Sequence, residues 1–310
     1  MDARRLQPGQ LSRVHIGYRD GRDPEVIFET DTMLIEAPNW SADGRLIVNG
    51  DGLLWALPSD GSAGLSPIPF EGIPALNNDH VLAPDGEQIY LSANDWHIYR
   101  AALNGGPVHR ITNPSTPQRM HFLHGVSPDG ATLAYVGLEP AAGKVWGSGD
   151  IFTIPADGGP DVRLTDSPRP ADGSEFSPDG DWIYFNTEVF EPAPGHAQIA
   201  RMRVDGSGLE QLTVDDQVNW FPHLSPDGQS AVYLSFPTGT EGHPADRWVQ
   251  LNLVHGDNWR EPSLVQRVFG GQGTINVNSW APDSDRFAYI SYPIVGGDTS
   301  TSSTTDAGAP

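Results

Sequence analysis

Ser177-Pro-Asp-Gly180, followed at once by Asp181-Trp-Ile-Tyr-Phe185, is the stretch on which the fold turns, because it recurs. The other copies are Ser41-Ala-Asp-Gly44, Ala83-Pro-Asp-Gly86, Ser127-Pro-Asp-Gly130, Ser225-Pro-Asp-Gly228 and Ala281-Pro-Asp-Ser284, at intervals of 42 to 56 residues. Each precedes an alternating apolar run. A unit of this length with strand patterning, repeated six times, is the signature of a β-propeller.

Working outward from the fourth copy, two further strands follow, Gln198-Ile-Ala-Arg-Met-Arg203 and Leu209-Glu-Gln-Leu-Thr213. The turn between them holds Val204-Asp-Gly206, and Asp-Gly supplies the positive φ that a tight hairpin needs. With the strand before the turn, each unit is a four-stranded antiparallel blade. The sixth unit stops after two strands, near 274–280 and 285–292. Arg13-Val-His-Ile-Gly-Tyr18 and Glu25-Val-Ile-Phe-Glu29, before the first full unit, supply the missing pair. The expected architecture is all-β: six blades, the ring closed by two N-terminal and two C-terminal strands in one blade, which removes exposed sheet edges. Residues 10–295 form a single domain in this reading. Residues 296–310, rich in Ser, Thr, Gly and Ala, are expected to be a disordered tail.

Composition narrows the function. Forty acidic residues against 18 basic ones give a net charge of −22, and Lys144 is the sole lysine. Such a surface repels phosphate backbones and excludes nucleic acid as a partner. No run of about 18 apolar residues exists to insert in a membrane. The N-terminus lacks an apolar leader core, which points to the cytoplasm, or to the periplasm if a leader precedes residue 1. Zero cysteines exclude disulfides and thiolate chemistry. No Gly-x-Ser-x-Gly elbow or phosphate-binding loop is present, and no organic cofactor is expected. A ring without free edges is expected to be a monomer.

The repeat, with its Ser-Pro-Asp-Gly, Asp150-Ile-Phe-Thr-Ile154, Asp157-Gly-Gly159 and terminal Leu164-Thr165, resembles the WD40-like repeat of TolB-type propellers over essentially residues 10–295. The resemblance implies a six-bladed propeller. It implies little about chemistry, since that group includes periplasmic proteins that bind partners and carbohydrate-active enzymes.

The repeat also serves as a ruler. The strand before each turn is innermost and lines the axial channel: 36–40, 77–81, 121–125, 172–176, 219–223 and 276–280. Loops joining second to third strands, and blade to blade, are long, and function concentrates on such loops. His80, His121, His124 and His223 fall on the inner strands, with Asn39, Asn78, Asp79, Asp172, Glu175, Asn219, Trp220, Asn276 and Asn278. Gly270-Gly-Gln-Gly-Thr274 would let the backbone approach the channel mouth, where Gln272 could face a ligand. A polar cluster there is a ligand-site candidate. Trp40, Phe176 and Trp280, one place before their turns, are expected to pack between blades.

Three chemistries compete for this cluster. A divalent metal (Mn, Ni, Fe or Zn) would use His80, His121, His124 and Gln118, a set that resembles the Gln-and-three-His manganese site of oligogalacturonate lyases. That resemblance implies metal-assisted elimination on a uronide, with Arg119 clamping the sugar carboxylate and His223 as base. The spacing here is His-x-x-His, and residues three apart on a strand face opposite ways unless the strand bulges. Metal-free acid–base chemistry or sugar recognition would use Asp172, Glu175, His223 and Arg119, with Trp220 stacking on a ring. In the third reading the polar groups satisfy backbone and channel water. The sequence thus points to a small-molecule site, carbohydrate or uronide, with a non-enzymatic ligand- or protein-binding scaffold as the alternative.

Overall fold

The computed structural model describes residues 4–140, 148–190 and 194–295. The expected tail, and parts of the loops after Leu138 and Thr187, lie outside the described residues.

Blades 1 to 5 are four-stranded antiparallel sheets in simple meander order, and they follow the repeat. Their inner strands are Ile35–Trp40, Leu76–Leu82, Met120–Val126, Ala171–Phe176 and Val218–Leu224. The sixth blade joins the termini: Glu25–Thr30 pairs with Ser12–Tyr18, which pairs with Arg286–Ser291. Its innermost segment, 274–280, is held more loosely, by a bridge between Trp280 and Phe287 and a bond from the Ala288 amide to the Ser279 carbonyl. The molecule is therefore the expected six-bladed ring closed by both ends of the chain.

Second strands such as Trp182–Thr187 are buried almost throughout, because each blade packs a neighbour on both faces. Six apolar clusters fill the gaps between blades. Trp40, Phe176 and Trp280 sit in them. Several outermost strands are short: Val162–Arg163 and Glu210–Gln211 have two residues each. Blade 5 differs, with Ser263–Gly271 running nine residues.

The Ser-Pro-Asp-Gly turns close as the sequence demands. In the fourth, the Gly180 amide donates to the Ser177 carbonyl at 2.9 Å and the Ser177 hydroxyl donates to Asp179 Oδ1 at 2.5 Å. The last copy ends in Ser284 rather than Gly, and Ser284 takes the same left-handed φ of 61°.

Candidate functional site

What decides the site is a bulge in the inner strands. Pairing with the second strand slips between Glu36 and Asn39, Leu76 and His80, Leu123 and Gly125, Asp172 and Glu175, and Trp220 and His223. At three of these slips the fourth residue before the turn takes a left-handed φ: Ala37 at 55°, Gly173 at 68° and Phe221 at 58°. A bulge re-aims side chains on either side of it. Residues five places before the turn then point into the channel mouth in every blade but the fifth, where Phe221 lines the mouth and Trp220 is buried beside it. Residues two places before the turn point between blades.

The five-place residues Glu36, Asn78, Phe122, Asp172 and Asn276 line a cavity of about 430 Å³ at the mouth. Asp79 and His124 join them, and so do Trp96, Phe221 and Gln272. Asp51, Trp96, His243 and Gln272 come from connections between second and third strands or between blades, so the cavity opens on the long-loop face. Gly273, at φ 89°, makes the approach close: a Cβ there would lie 2.4 Å from the Tyr292 hydroxyl and 2.6 Å from Glu36 Oε1. The Ala37 amide donates to the Gly273 carbonyl at 2.8 Å, fastening the glycine-rich loop to blade 1.

The electrostatics centre on His124. Its Nε2 lies 3.2 Å from Asp172 Oδ1 and its Nδ1 lies 3.4 Å from the Asn276 carbonyl. Both neighbours are acceptors, which favours the doubly protonated ring. Burial opposes that charge, but the Asp79 and Asp172 carboxylates outweigh it and push the pKa up to about 9. Burial drives Asp79 up to about 7, with the charges of Asp172 and Glu36 adding to it and His124 opposing. Asp172 is held below the usual carboxylate range: burial works against this, and the His124 hydrogen bond and charge win.

Glu36, Asp51, Trp96, Phe122 and Phe221 were not singled out from sequence, and neither were two further members of the cavity wall, His243 and Arg4. His243, from the loop after Phe236, has its ring 4.4 Å from Trp220 and 5.0 Å from Phe221, and donates from Nδ1 to Gln272 Oε1. Burial lowers its pKa. The signal available for it was its place on a long loop of the working face. Arg4 had no signal, because it lies outside the repeat. It reaches Glu36 Oε1 at 3.0 Å, Asp246 Oδ1 at 3.0 Å and the Gln272 carbonyl at 2.8 Å.

The remaining residues singled out from sequence are engaged elsewhere. Glu175 and His223 form a bracket between blades and are absent from the cavity lining. Glu175 Oε1 accepts from the Leu224 amide at 2.7 Å and from Asn278 at 2.8 Å, and Oε2 meets His223 Nδ1 at 2.6 Å. His223 Nε2 donates to the Ile275 carbonyl at 2.5 Å. Asn39 makes the same kind of joint, accepting from the Leu82 amide and donating to the Asn278 carbonyl. Asn219 bonds Gln198, Thr213 and Ser235 inside the blade 4–5 interface. Trp220 is buried beside Phe221. Arg119 pairs with Glu139 at 2.8 Å and Asp161 at 3.0 Å, stacked over Phe152, away from the cavity.

The metal set does not assemble. His80 Nε2 is 3.2 Å from the Ile47 carbonyl, and His121 Nδ1 donates to the Trp96 carbonyl at 2.6 Å. Burial lowers both to a pKa of about 4, so both are neutral. His124 is the bulged residue and turns to the axis, whereas His121 turns into the blade interface against Tyr135. Gln118 is exposed. Among the described residues no three His, Asp or Glu side chains converge as a metal-holding group. The donors present do not fit a resident manganese. Among the described residues no helix is long and apolar enough to cross a membrane.

No family model matches the chain. An uncharacterized protein of Agrobacterium fabrum is 36% identical over 276 residues, covering 87% of this chain and 89% of that one. A solved structure described as a candidate TolB from Agrobacterium tumefaciens is 34% identical with a TM-score of 0.81, over 92% of this chain and 99% of that chain. An oligogalacturonate lyase in complex with manganese shares the fold alone, at 12% identity and a TM-score of 0.52, over 83% of this chain and 67% of that one. The repeat, the ring and the full-length relatives together make this chain a member of the TolB-like β-propeller family.

Proposed function

We propose that the channel mouth binds a small polyhydroxylated ligand of carbohydrate type, neutral or positively charged, and that the protein is a ligand-binding propeller. One observation carries the reading: amides and carboxylates from different blades face one cavity whose walls include Trp96, Phe122 and Phe221. Amides offer a polyol both donors and acceptors, carboxylates accept, and aromatic faces take the apolar side of a pyranose ring.

The charge balance argues for the ligand class. Glu36, Asp51, Asp79 and Asp172 line the cavity, against Arg4 and His124. Arg4 is already engaged by Glu36 and Asp246, and His124 by Asp172. No free guanidinium among the described lining residues awaits a sugar carboxylate, and Arg119 holds Glu139 and Asp161 instead. Uronide elimination therefore loses both its clamp and its metal. An anionic sugar would also meet like charge in a low-dielectric site, which costs affinity.

Calorimetric titration with a neutral oligosaccharide, its uronide counterpart and its amino-sugar counterpart tests this at neutral pH. The expected order of affinity is amino sugar, then neutral, then uronide, with no unsaturated product from the uronide. Tighter binding of the uronide than of its neutral counterpart would refute the reading.

A further inference from the structure

The segment ahead of the first strand is a strap that reaches the channel mouth through Arg4. Residues 4–7 pair with no strand, and the first β-bridge among the described residues is at Gln10. Side chains do the fastening instead. Asp246 collects three of them: Arg4, Gln7 Nε2 at 3.0 Å and Gln10 Nε2 at 2.6 Å. Asp246 is itself a left-handed non-glycine residue, φ 57°, at a bulge between Ala245 and Arg247. Such a conformation costs on the order of 1 kcal/mol or more and persists where contacts enforce it.

Arg4 is the innermost of these contacts. Its guanidinium donates to Glu36, to Asp246 and to the Gln272 carbonyl, and its face lies 4.4 Å from the centre of the Tyr292 ring. Tyr292 is fully buried and Glu36 is 9% exposed. Two carboxylates, a carbonyl and an aromatic face match a planar cation on every side: the fork of donors is met in plane and the ring quadrupole is met on the face. The site is part of the cavity wall, since Arg4, Glu36 and Gln272 all line it.

We infer that Glu36, Asp246, Tyr292 and the Gln272 carbonyl form a subsite for a guanidinium or primary ammonium group on the ligand, and that Arg4 fills this subsite as a competing internal cation. The inference rests on the channel mouth being the ligand site and names the group that a positively charged ligand places there. A cationic ligand displaces Arg4 by taking over its bonds. Removal of the strap leaves the propeller standing, because residues 4–7 contribute no ladder hydrogen bond. It also leaves a buried Glu36 carboxylate in need of a positive partner, which is costly until one arrives. Affinity for a cation is thus held down by the fraction of molecules in which the strap is seated.

The test uses the full chain with Arg4→Ala, and methylguanidinium, methylammonium and the uncharged methylurea as probes at low millimolar concentration. Thermal unfolding of the unaltered protein should not distinguish the probes. Arg4→Ala should unfold at a lower temperature and recover with methylguanidinium, not with methylurea. Its affinity for an amino sugar should rise about tenfold over the unaltered chain, with less than about a twofold change for the neutral sugar. Adding Glu36→Gln should abolish the recovery. Should Arg4→Ala fold poorly, Arg4→Gln and the refolding yield with each probe give the same readout. Equal responses to methylguanidinium and methylurea would overturn the subsite. If a neutral sugar still binds in that case, the channel-mouth reading survives alone. A methylguanidinium response without any sugar binding leaves the subsite standing and removes the carbohydrate.

Discussion

Two histidine–carboxylate pairs sit on the inner strands and share a chemistry but not a role. His124 pairs with Asp172 at the cavity wall, and His223 pairs with Glu175 between blades. Both carboxylates come from Ala171–Phe176, three residues apart, with Gly173 and Ser174 between them. The bulge at Gly173 sends Asp172 into the channel mouth and Glu175 into the joint of blades 4, 5 and 6. Asp172 keeps contact with the cavity and is partly exposed, whereas Glu175 is buried and has both oxygens bonded. Residue type therefore says little about role here. Position relative to the bulge decides whether a charged pair meets a ligand or holds the ring.

The largest effect should come from breaking the joint. Glu175→Ala strands the Leu224 amide and removes one partner each from the Asn278 side chain and the His223 ring, and is expected to cost roughly 3–5 kcal/mol of stability. Chemical denaturation measures this, and a loss below about 1 kcal/mol would mean that the pair is no bracket.

Gly173→Ala comes next. A Cβ there would sit 2.8 Å from Asn186 Oδ1 in a backbone conformation that L side chains rarely adopt. A loss of about 1–3 kcal/mol is expected, with weakened ligand binding because Asp172 shifts. Unchanged stability and affinity would show that the bulge does not depend on glycine.

Alkaline titration probes the cavity pair. A histidine raised from 6.5 to about 9 contributes stability fully present below pH 6.5 and lost as pH rises through about 9. Asp79, raised from 3.8 to about 7, acts in the same direction, its contribution lost as pH rises through about 7. Stability should therefore fall toward pH 9, by roughly 1–2 kcal/mol once solvent access to Asp172 is allowed for. Thermal unfolding across pH should show this limb, and His124→Gln should flatten it. At the acid end, His15, His80 and His121, each lowered from 6.5 to about 4, contribute stability that is lost as pH falls over that interval. His124→Gln should leave that limb in place.

The smallest effect on stability belongs to Asp172→Asn, expected within about 1 kcal/mol of the unaltered protein, while affinity for the sugar falls about tenfold. The reverse pattern, a large loss of stability with affinity intact, would make this pair a second bracket and erase the contrast with Glu175.

The ruler of Ser-Pro-Asp-Gly turns located the inner strands correctly, and through them Asn78, Asp79, His124, Asp172 and Asn276 at the cavity. It could not separate those from Glu175, His223, Asn39 and Asn219, because the inner strands carry inserted residues, one in four of them and two in Leu76–Leu82, and a single insertion reverses the facing of everything beyond it. The left-handed residue at the bulge is a glycine only at Gly173 and is Ala37 or Phe221 in the two other blades that have one, so local composition does not announce it. His121 and His124 needed a bulge to be read at all. The bulge exists, and it sends them to different places rather than to one metal.

The ring, the number of blades, the closure of the sixth by N- and C-terminal strands and the face bearing the long loops are legible in the residues alone, because strand alternation and Asp-Gly turns are local and repeat. The folded chain fixes which inner-strand residues share a cavity, that His243 and Arg4 belong to it, and that Arg119 does not. Those facts depend on bulges and on contacts such as Arg4 to Asp246, 242 residues apart, that no local pattern encodes.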